Sequence, residues 1–470
     1  MPDFSRESTL GGAGAPTHRR FILLGLVFLH TLHTYIDRVC ISAAAVDIKR
    51  DLGIGDQMMG HIFGIFAIGY GLCQIPAGWL ADRFGPRRVL AGVVGAWSVF
   101  TALTGLAFNA TSLLAIRFLF GVGESGAFPG ATRALYAWLP ARERGVAQGI
   151  FHSGARVGAA LSLLALPWLI ALVGWRWMFA LAGASGLLWV AAWYGWFRDD
   201  PAQHRGVNAA ELALIRDDQP QAGPAALPSA PLWSILTSAN LLLAMFQYIA
   251  SNVTFFISFT WLLPYLQTRW GPAAATLAPI PLVCGALAQW FSGWLVTTLH
   301  RRGALVASRR VPAMCGFALS AVGLMLSATA SPDSALTFVL CFSVAVFGVE
   351  MTISPSWAFC MDIGGAYSGT VSGAMNMVGN LGSAASAMLF PWFIAHVTLP
   401  HVAEKPGTAN AFFVFAAGLN LLGAIAWLGM NPQRAATATS ARTARWRMVI
   451  FIALIVAVVA AIILPKFFSK

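Results

Sequence analysis

Charge is what this sequence has least of. Only 10% of its 470 residues are Asp, Glu, Lys or Arg, against 58% that are hydrophobic. Soluble domains carry about 25% charged residues, so this chain has too little polar surface to face water on all sides. The six cysteines (Cys40, Cys73, Cys284, Cys315, Cys341 and Cys360) fall in apolar stretches, and no pair has metal-ligand spacing. They read as small buried hydrophobes, not as disulfides or ligands. H-E-x-x-H, G-x-S-x-G and P-loop signatures are missing, which argues against a membrane enzyme. No cleavable signal peptide is evident: the first 20 residues are polar and end in His18, Arg19 and Arg20.

Apolar length is what the chain has most of. Mean hydropathy is +0.70, and runs of roughly 18 or more apolar residues recur throughout, the signature of membrane-spanning helices. The runs are too long for barrel strands of about 10 residues. Spans are expected at about 21–46, 57–81, 89–107, 111–139, 146–171, 176–197, 239–266, 273–299, 311–330, 334–361, 367–395 and 409–430. The net charge of +12 reflects Lys and Arg in short loops that set orientation, not a nucleic-acid surface. Arg19 and Arg20, Arg83 to Arg88, Arg142 and Arg144, Arg198 to Arg216, Arg301 to Arg310, and Arg434 to Arg447 fall on one side. Lys49, Arg50, Arg176, Arg269 and Lys405 fall on the other. The positive-inside rule places the N-terminus in the cytoplasm.

The longest polar break divides six spans from six. The expected organisation is a cytoplasmic tail (1–20), a six-helix bundle (21–197), a cytoplasmic linker (198–238), a second six-helix bundle (239–430) and a basic segment (431–470). That last segment contains a further apolar run at 448–464, read as a thirteenth transmembrane helix, with an interfacial anchor as the alternative. The loop after the second span runs from Gly78 to Arg88, GWLADRFGPRR. Glycine permits a tight turn and close helix approach. Asp82 can pair with the loop arginines or face a helix N-terminus. The stretch resembles the loop signature G-x-L-x-D-R-x-G-R-R of the major facilitator superfamily, which implies a gating role for Gly78, Asp82, Arg83, Gly85, Arg87 and Arg88. The corresponding loop of the second half, Gly293 to Arg302, keeps the glycine and the basic pair but has Thr297 where the acid is expected.

Ionisable residues inside the spans are more informative. A charge near the bilayer centre costs roughly 2.5–3.5 kcal/mol or more, so it faces a polar cavity and has a partner. Span 1 carries His30, His33, Asp37 and Arg38; span 4, Arg117 and Glu124; span 5, His152 and Arg156; span 10, Glu350. Asp37, Glu124, Arg156 and Glu350 all fall near the midplane by helical rise, which points to one shared cavity. His33 and Asp37, His152 and Arg156, and Asn376 and Asn380 of span 11 are each four residues apart and share a helix face. Arginine in such a cavity attracts carboxylate. A buried carboxyl is pulled toward the neutral acid by desolvation and toward the carboxylate by nearby arginine. This set suits proton-coupled uptake of an organic anion. Asp37 and Glu124 are the candidate proton carriers. Arg38, Tyr70, Arg117, His152, Arg156, Glu350, Trp357, Asn376 and Asn380 are the candidate substrate-binding residues. In the competing reading the charges only hold helices together, and His33 and His152 serve as packing histidines.

Several stretches resemble the anion:cation symporter family, a branch of the major facilitator superfamily. YIDRVCISAA (Tyr35 to Ala44) is similar to its span 1 signature and RFLFGVGESGAFPGA (Arg117 to Ala131) to its span 4 signature. Further matches are Trp138 to Leu161, Gly174 to Phe179, Thr260 to Leu266 and Gly369 to Gly382. The resemblance implies an all-α membrane protein with two six-helix bundles around a central cavity. In that family's terms Asp37 and Glu124 match the carboxyls linked with proton coupling. Arg38 matches the arginine that pairs with the span 4 acid, Arg117 a coupling or anion-contacting arginine, and Tyr70 a substrate-facing tyrosine. Arg156 and Glu350 are extra charges relative to many members. The expectation is a secondary active transporter of the inner membrane that imports a small organic anion with protons, or with sodium, by alternating access. Hexonates, hexarates, hexuronates and dicarboxylates are the expected substrates. Aromatic-carboxylate transport, organic-anion exchange or export, and a sensor without turnover are the alternatives. A monomer without cofactor or metal is expected.

Overall fold

The computed structural model describes residues 15–217, 232–329, 334–397 and 409–436, with positions 443, 446, 447 and 449 beyond them. Most of the apolar run at 448–464 lies outside the described residues. Among the described residues the regular structure is helical throughout. In lipid every backbone N–H and C=O must be satisfied within its own segment, which leaves helix as the form for these apolar runs.

The first half comprises α1 (Arg19–Ala43), the short α2 (Ala45–Leu52), α3 (Asp56–Phe84), α4 (Pro86–Thr104), α5 (Ala110–Glu124), α6 (Ala127–Trp138) and α7 (Arg144–Trp196). α5 opens on a capping box: Asn109 Oδ1 accepts the Ser112 N–H at 2.8 Å and Ser112 Oγ accepts the Asn109 N–H at 3.2 Å. α7 contains two crossings, because Gly174 adopts φ 78°, ψ 161° and reverses the chain. α8 (Ala209–Arg216) and α9 (Leu232–Leu236) belong to the connection between halves. The second half comprises α10 (Ala239–Phe256), α11 (Leu262–Trp270), α12 (Pro279–Arg301), α13 (Leu305–Thr329), α14 (Ala335–Met351), α15 (Ile353–Gly364), α16 (Ser368–His396) and α17 (Asn410–Gly429). A π-helical turn, Ile257–Trp261, joins α10 to α11.

Among the described residues eight helical stretches are long and apolar enough to cross a membrane, one of them the run Ala335–His396 that contains α14, α15 and α16. Two crossings are broken midway. α5 and α6 together make one crossing, interrupted at Ser125 and Gly126; α14 and α15 make another, interrupted at Thr352. Irregular backbone at membrane depth is tolerated where it is buried in protein or lines a cavity. Sequence reading treats each of these crossings as a single span, and the breaks are the correction.

The halves meet along two seams, α3 against α16 and α7 against α12. Each seam depends on a glycine. A Cβ at Gly78 would clash with the Gly369 carbonyl, and one at Gly293 would press on the Gly145 carbonyl. The ends of the seams are alike as well. Asp82, near the end of α3, faces the N-terminus of α16. Its carboxylate accepts the Gly369 N–H at 2.9 Å, the Thr370 N–H at 2.6 Å and the Thr370 hydroxyl at 2.6 Å. Unpaired N–H groups and the helix dipole favour an anion there. Thr297, near the end of α12, faces the N-terminus of α7, and its Oγ1 accepts the Val146 N–H at 3.1 Å. The residue standing in for the expected acid therefore makes the equivalent contact with a hydroxyl. Asp362, in the last turn of α15, accepts from Arg144 at 2.9 Å and from Arg309 at 2.8 Å. All these contacts sit on the arginine-rich face. Farther along α3 a Cβ at Gly60 or Gly64 would meet nothing within 4 Å.

The same face anchors the connection. Glu211 of α8 accepts the N–H groups of Arg19 and Arg20 at 3.0 Å each and the Thr17 hydroxyl at 2.5 Å. Burial works to raise its carboxyl pKa, but these donors outweigh burial and hold it below the usual carboxylate range. Gly85 separates α3 from α4 at φ 84°, and a Cβ there would strike the Asp199 carboxylate, which accepts the Arg87 N–H at 2.8 Å.

Two outcomes are expected. Gly85→Ala lowers the thermal midpoint of the purified protein, because a non-glycine residue held in a disfavoured backbone region costs of order 1–3 kcal/mol. Asp82→Asn weakens the closure of the arginine-rich face. Hydrogen bonds to charged groups contribute about 1.5–3 kcal/mol, so alkylation of a cysteine placed at the buried Ser372 should accelerate about tenfold or more. Unchanged alkylation would show that Asp82 does not hold the face shut.

Candidate functional site

Asp37 and Arg38 are neighbours on α1, so their side chains leave the helix about 100° apart. Arg38 Nε donates to Glu124 Oε1 at 2.6 Å. Its guanidinium also lies over the rings of Tyr70 at 4.6 Å, Tyr35 at 5.2 Å and Phe66 at 5.2 Å. Glu124 is the last residue of α5 and is fully buried. Arg117, two turns earlier, is buried over the Phe120 ring at 4.5 Å and is an electrostatic neighbour of both Glu124 and Asp37.

Asp37 is held differently. His33 Nε2 lies 3.2 Å from Asp37 Oδ2, yet neither carboxylate oxygen receives a well-aligned hydrogen bond among the described residues. Trp97, Thr101 and Arg117 surround it. A buried carboxylate short of donors loses its hydration without replacement. His30, one turn below His33, packs between Trp97 and Trp189 and bonds the Ala127 carbonyl at 3.2 Å, a packing role.

The second group straddles the halves. Arg156 of α7 binds Glu350 of α14: Nε donates to Oε1 at 3.2 Å, and a second guanidinium nitrogen donates to the same oxygen. Gln289 of α12 donates from Nε2 to the other oxygen, Oε2, at 2.6 Å. Arg156 also lies over Phe255 at 4.2 Å and within hydrogen-bonding reach of the Tyr35 hydroxyl. Asn376 of α16 donates to the Tyr70 hydroxyl at 3.2 Å, a second polar link between halves. Asn380 turns back instead, donating to the Asn376 carbonyl at 2.7 Å.

His152 and Trp357 meet at the seam with ring centroids 4.7 Å apart, flanked by Phe128. His152 bonds the Gln148 carbonyl through Nδ1 at 3.0 Å, and Trp357 Nε1 donates to the Tyr248 hydroxyl at 3.0 Å. Both rings are buried.

The structure thus brings Arg38, Tyr70, Arg117, Glu124, Arg156, Glu350 and Asn376 into one connected polar region. Asp37 lies one helix face away, and His152 and Trp357 form an aromatic floor. Of the motif residues, Arg83 stacks on Trp79 and Phe84, away from Asp82, and Arg87 and Arg88 begin α4 beside Asp199. The ion-pair neighbour of Asp82 is Arg133 of α6, at 3.6 Å. Sequence reading misses Arg133, Tyr35, Tyr248, Gln289 and Asp362. Neutral polar residues within apolar spans are the signal that could have found Tyr35, Tyr248 and Gln289. Among the described residues no group of His, Cys, Asp and Glu is placed to hold a metal ion.

Residues 27–387 match the family model of the Major Facilitator Superfamily. The probable sulfoacetate transporter SauU of Cupriavidus necator is 34% identical over 420 residues, covering 88% of this chain and 94% of that protein. The D-galactonate transporter of Escherichia coli O6:H1 is 29% identical over 436 residues, covering 88% and 96%. The probable galactarate/D-glucarate transporter GudP of Bacillus subtilis is 30% identical over 433 residues, covering 88% and 92%. In fold the chain resembles the proton:xylose symporter XylE, with TM-score 0.65 and 16% identity over 86% of this chain and 94% of that one. By this family match and this two-bundle fold, the chain belongs to the Major Facilitator Superfamily and is a multi-pass membrane transporter, not an enzyme.

Proposed function

We propose that this transporter imports a small organic anion together with protons, by alternating access across the bacterial inner membrane. The observation that carries the reading is the buried run of opposite charges Asp37, Arg117, Glu124 and Arg38. It combines guanidinium groups that recognise an acid with carboxyls that can carry protons. The names of the relatives, transporters of sulfoacetate, galactonate and galactarate or glucarate, support an organic acid as cargo.

The arginine-rich face is assigned to the cytoplasm, which also places the N-terminus there. With that face held shut by Asp82, Thr297 and Asp362, the cavity is reached from outside. Asp37 and Glu124 take protons, Glu124 loosens its hold on Arg38, and the substrate's acid takes that guanidinium. Tyr70 and Asn376 orient the substrate across the halves, and His152 and Trp357 form the floor beneath it. A neutralised cavity then permits the halves to rock about the two seams, parting Asp82 from α16. Inside, the protons leave, and Glu124 recovers Arg38 and expels the anion.

In liposomes holding the purified protein, Asp37→Asn should abolish proton-driven accumulation of anion while sparing counterflow exchange at equal pH. Simultaneous loss of both activities in folded protein would make Asp37 a brace and remove it from the coupling scheme.

A further inference from the structure

The two broken crossings carry glutamates at matching places. Glu124 ends α5, immediately before the break at Ser125 and Gly126. Glu350 is the penultimate residue of α14, two residues before the break at Thr352. Each is buried and each binds one arginine. The difference lies in where the arginine comes from. Arg38 belongs to the same half as Glu124, whereas Arg156 belongs to the half opposite Glu350.

Gln289 adds a second observation. It is 1% exposed, and its Nε2 holds Glu350 Oε2 at 2.6 Å. Its Oε1 is buried with no hydrogen-bond partner among the described residues. An orphaned buried acceptor is costly. A carboxylate at Glu350 cannot satisfy it, because a carboxylate has no proton to give. A carboxylic acid can, since its O–H donates to an amide oxygen. Gln289 is therefore equipped to hold Glu350 in either protonation state.

We infer that Glu350 is a tethered stand-in for a substrate acid. In the empty protein it occupies Arg156, and on taking a proton it moves onto Gln289 and yields that guanidinium to an acidic group of the substrate. The proton comes from the water of the cavity and stays on the Glu350 carboxyl, while Arg156 keeps its charge. Arg156 and Arg38 both adjoin Tyr35, so the two guanidinium groups bracket one site. The substrate class that fits is a small anion with an acidic group at each end. The inference rests on the anion site proposed above and adds a second pole and a further coupled proton.

The helices packed around Glu350 each present their own groups to it. α7 presents Arg156, α1 presents Tyr35 through Arg156, and α10 presents Tyr248. α12 presents the neutral Gln289, and α13 meets α14 through Gly316, Ser320 and Gly323. Arg156 is the single permanent charge of this set, so Glu350 protonation is tied to what Arg156 binds.

Binding of sulfoacetate and D-glucarate, each with two acidic groups, and of D-galactonate, with one, is measured on the purified full-length protein from pH 6 to pH 8. Affinity for a linked ligand falls about tenfold per pH unit for each proton taken up. Glu350→Gln should bind the two-acid ligands more tightly than wild type at pH 8, with a slope of log affinity against pH shallower by about one proton. Arg156→Gln should lose the preference for two-acid over one-acid ligands. If Glu350→Gln fails to fold, Glu350→Asp, which keeps the carboxylate but draws it back from Arg156, should also tighten binding at pH 8. Wild-type binding with an unchanged slope and affinity in these Glu350 variants would overturn the inference alone. Failure of folded wild-type protein to bind any of the three ligands would overturn both the inference and the anion site it rests on.

Discussion

A charge carried into hydrocarbon finds neither water nor counter-ion, so the helices must neutralise it with side chains of their own. That constraint explains why Arg38 is locked to Glu124, why Arg156 reaches across to the opposite half, and why both glutamates sit where the backbone breaks. Removing one partner of such a buried pair costs roughly 3–5 kcal/mol, because the other charge is left uncompensated. A ligand that brings its own negative charge can take a partner's place without that cost, provided a proton neutralises the carboxylate it displaces. A structural requirement for pairing thus becomes a rule linking anion to proton.

The same economy appears at the arginine-rich face. Two seams, α3 with α16 and α7 with α12, are built alike: a glycine where backbones touch and an oxygen aimed at the N-terminus of a helix in the other half. One oxygen belongs to a carboxylate, Asp82, and the other to a hydroxyl, Thr297. Both contacts are made of a few directional bonds rather than interlocking apolar side chains, so they can part without opening a cavity in a packed core. Apolar packing holds each half together, where α1 meets α7 and α13 meets α14 and α17, and it crosses between the halves at Phe128 and Trp357. Rigid halves joined by releasable polar contacts are the mechanical requirement for rocking.

The helical content and membrane character are legible in the sequence because lipid imposes long apolar runs and little else produces them. The reversal at Gly174 is also legible, as the gap between two runs. The breaks at Ser125 and Thr352 leave a subtler mark, Pro129 and Pro355, each of which offers no N–H to the carbonyl four residues before it. Spacing shows that Asp37 and His33 share a face, but cannot show that Asp37 is left short of donors. The partner of Asp82 is 287 residues away in the other half, beyond the reach of local pattern. Arg144 reads as a loop cation, yet it is buried against Asp362. What sequence conceals here is chiefly which charge meets which, because pairing is decided between halves.

The central claim is that anion and proton move together. Its most direct measurement is uptake by the purified protein in liposomes under an inward proton gradient, with labelled sulfoacetate, D-glucarate and D-galactonate, in the presence and absence of a protonophore. The account predicts accumulation of at least one of these anions above its external concentration, and collapse of that accumulation when the protonophore is added. Accumulation indifferent to the protonophore, or no uptake of any of the three by folded protein, would contradict it.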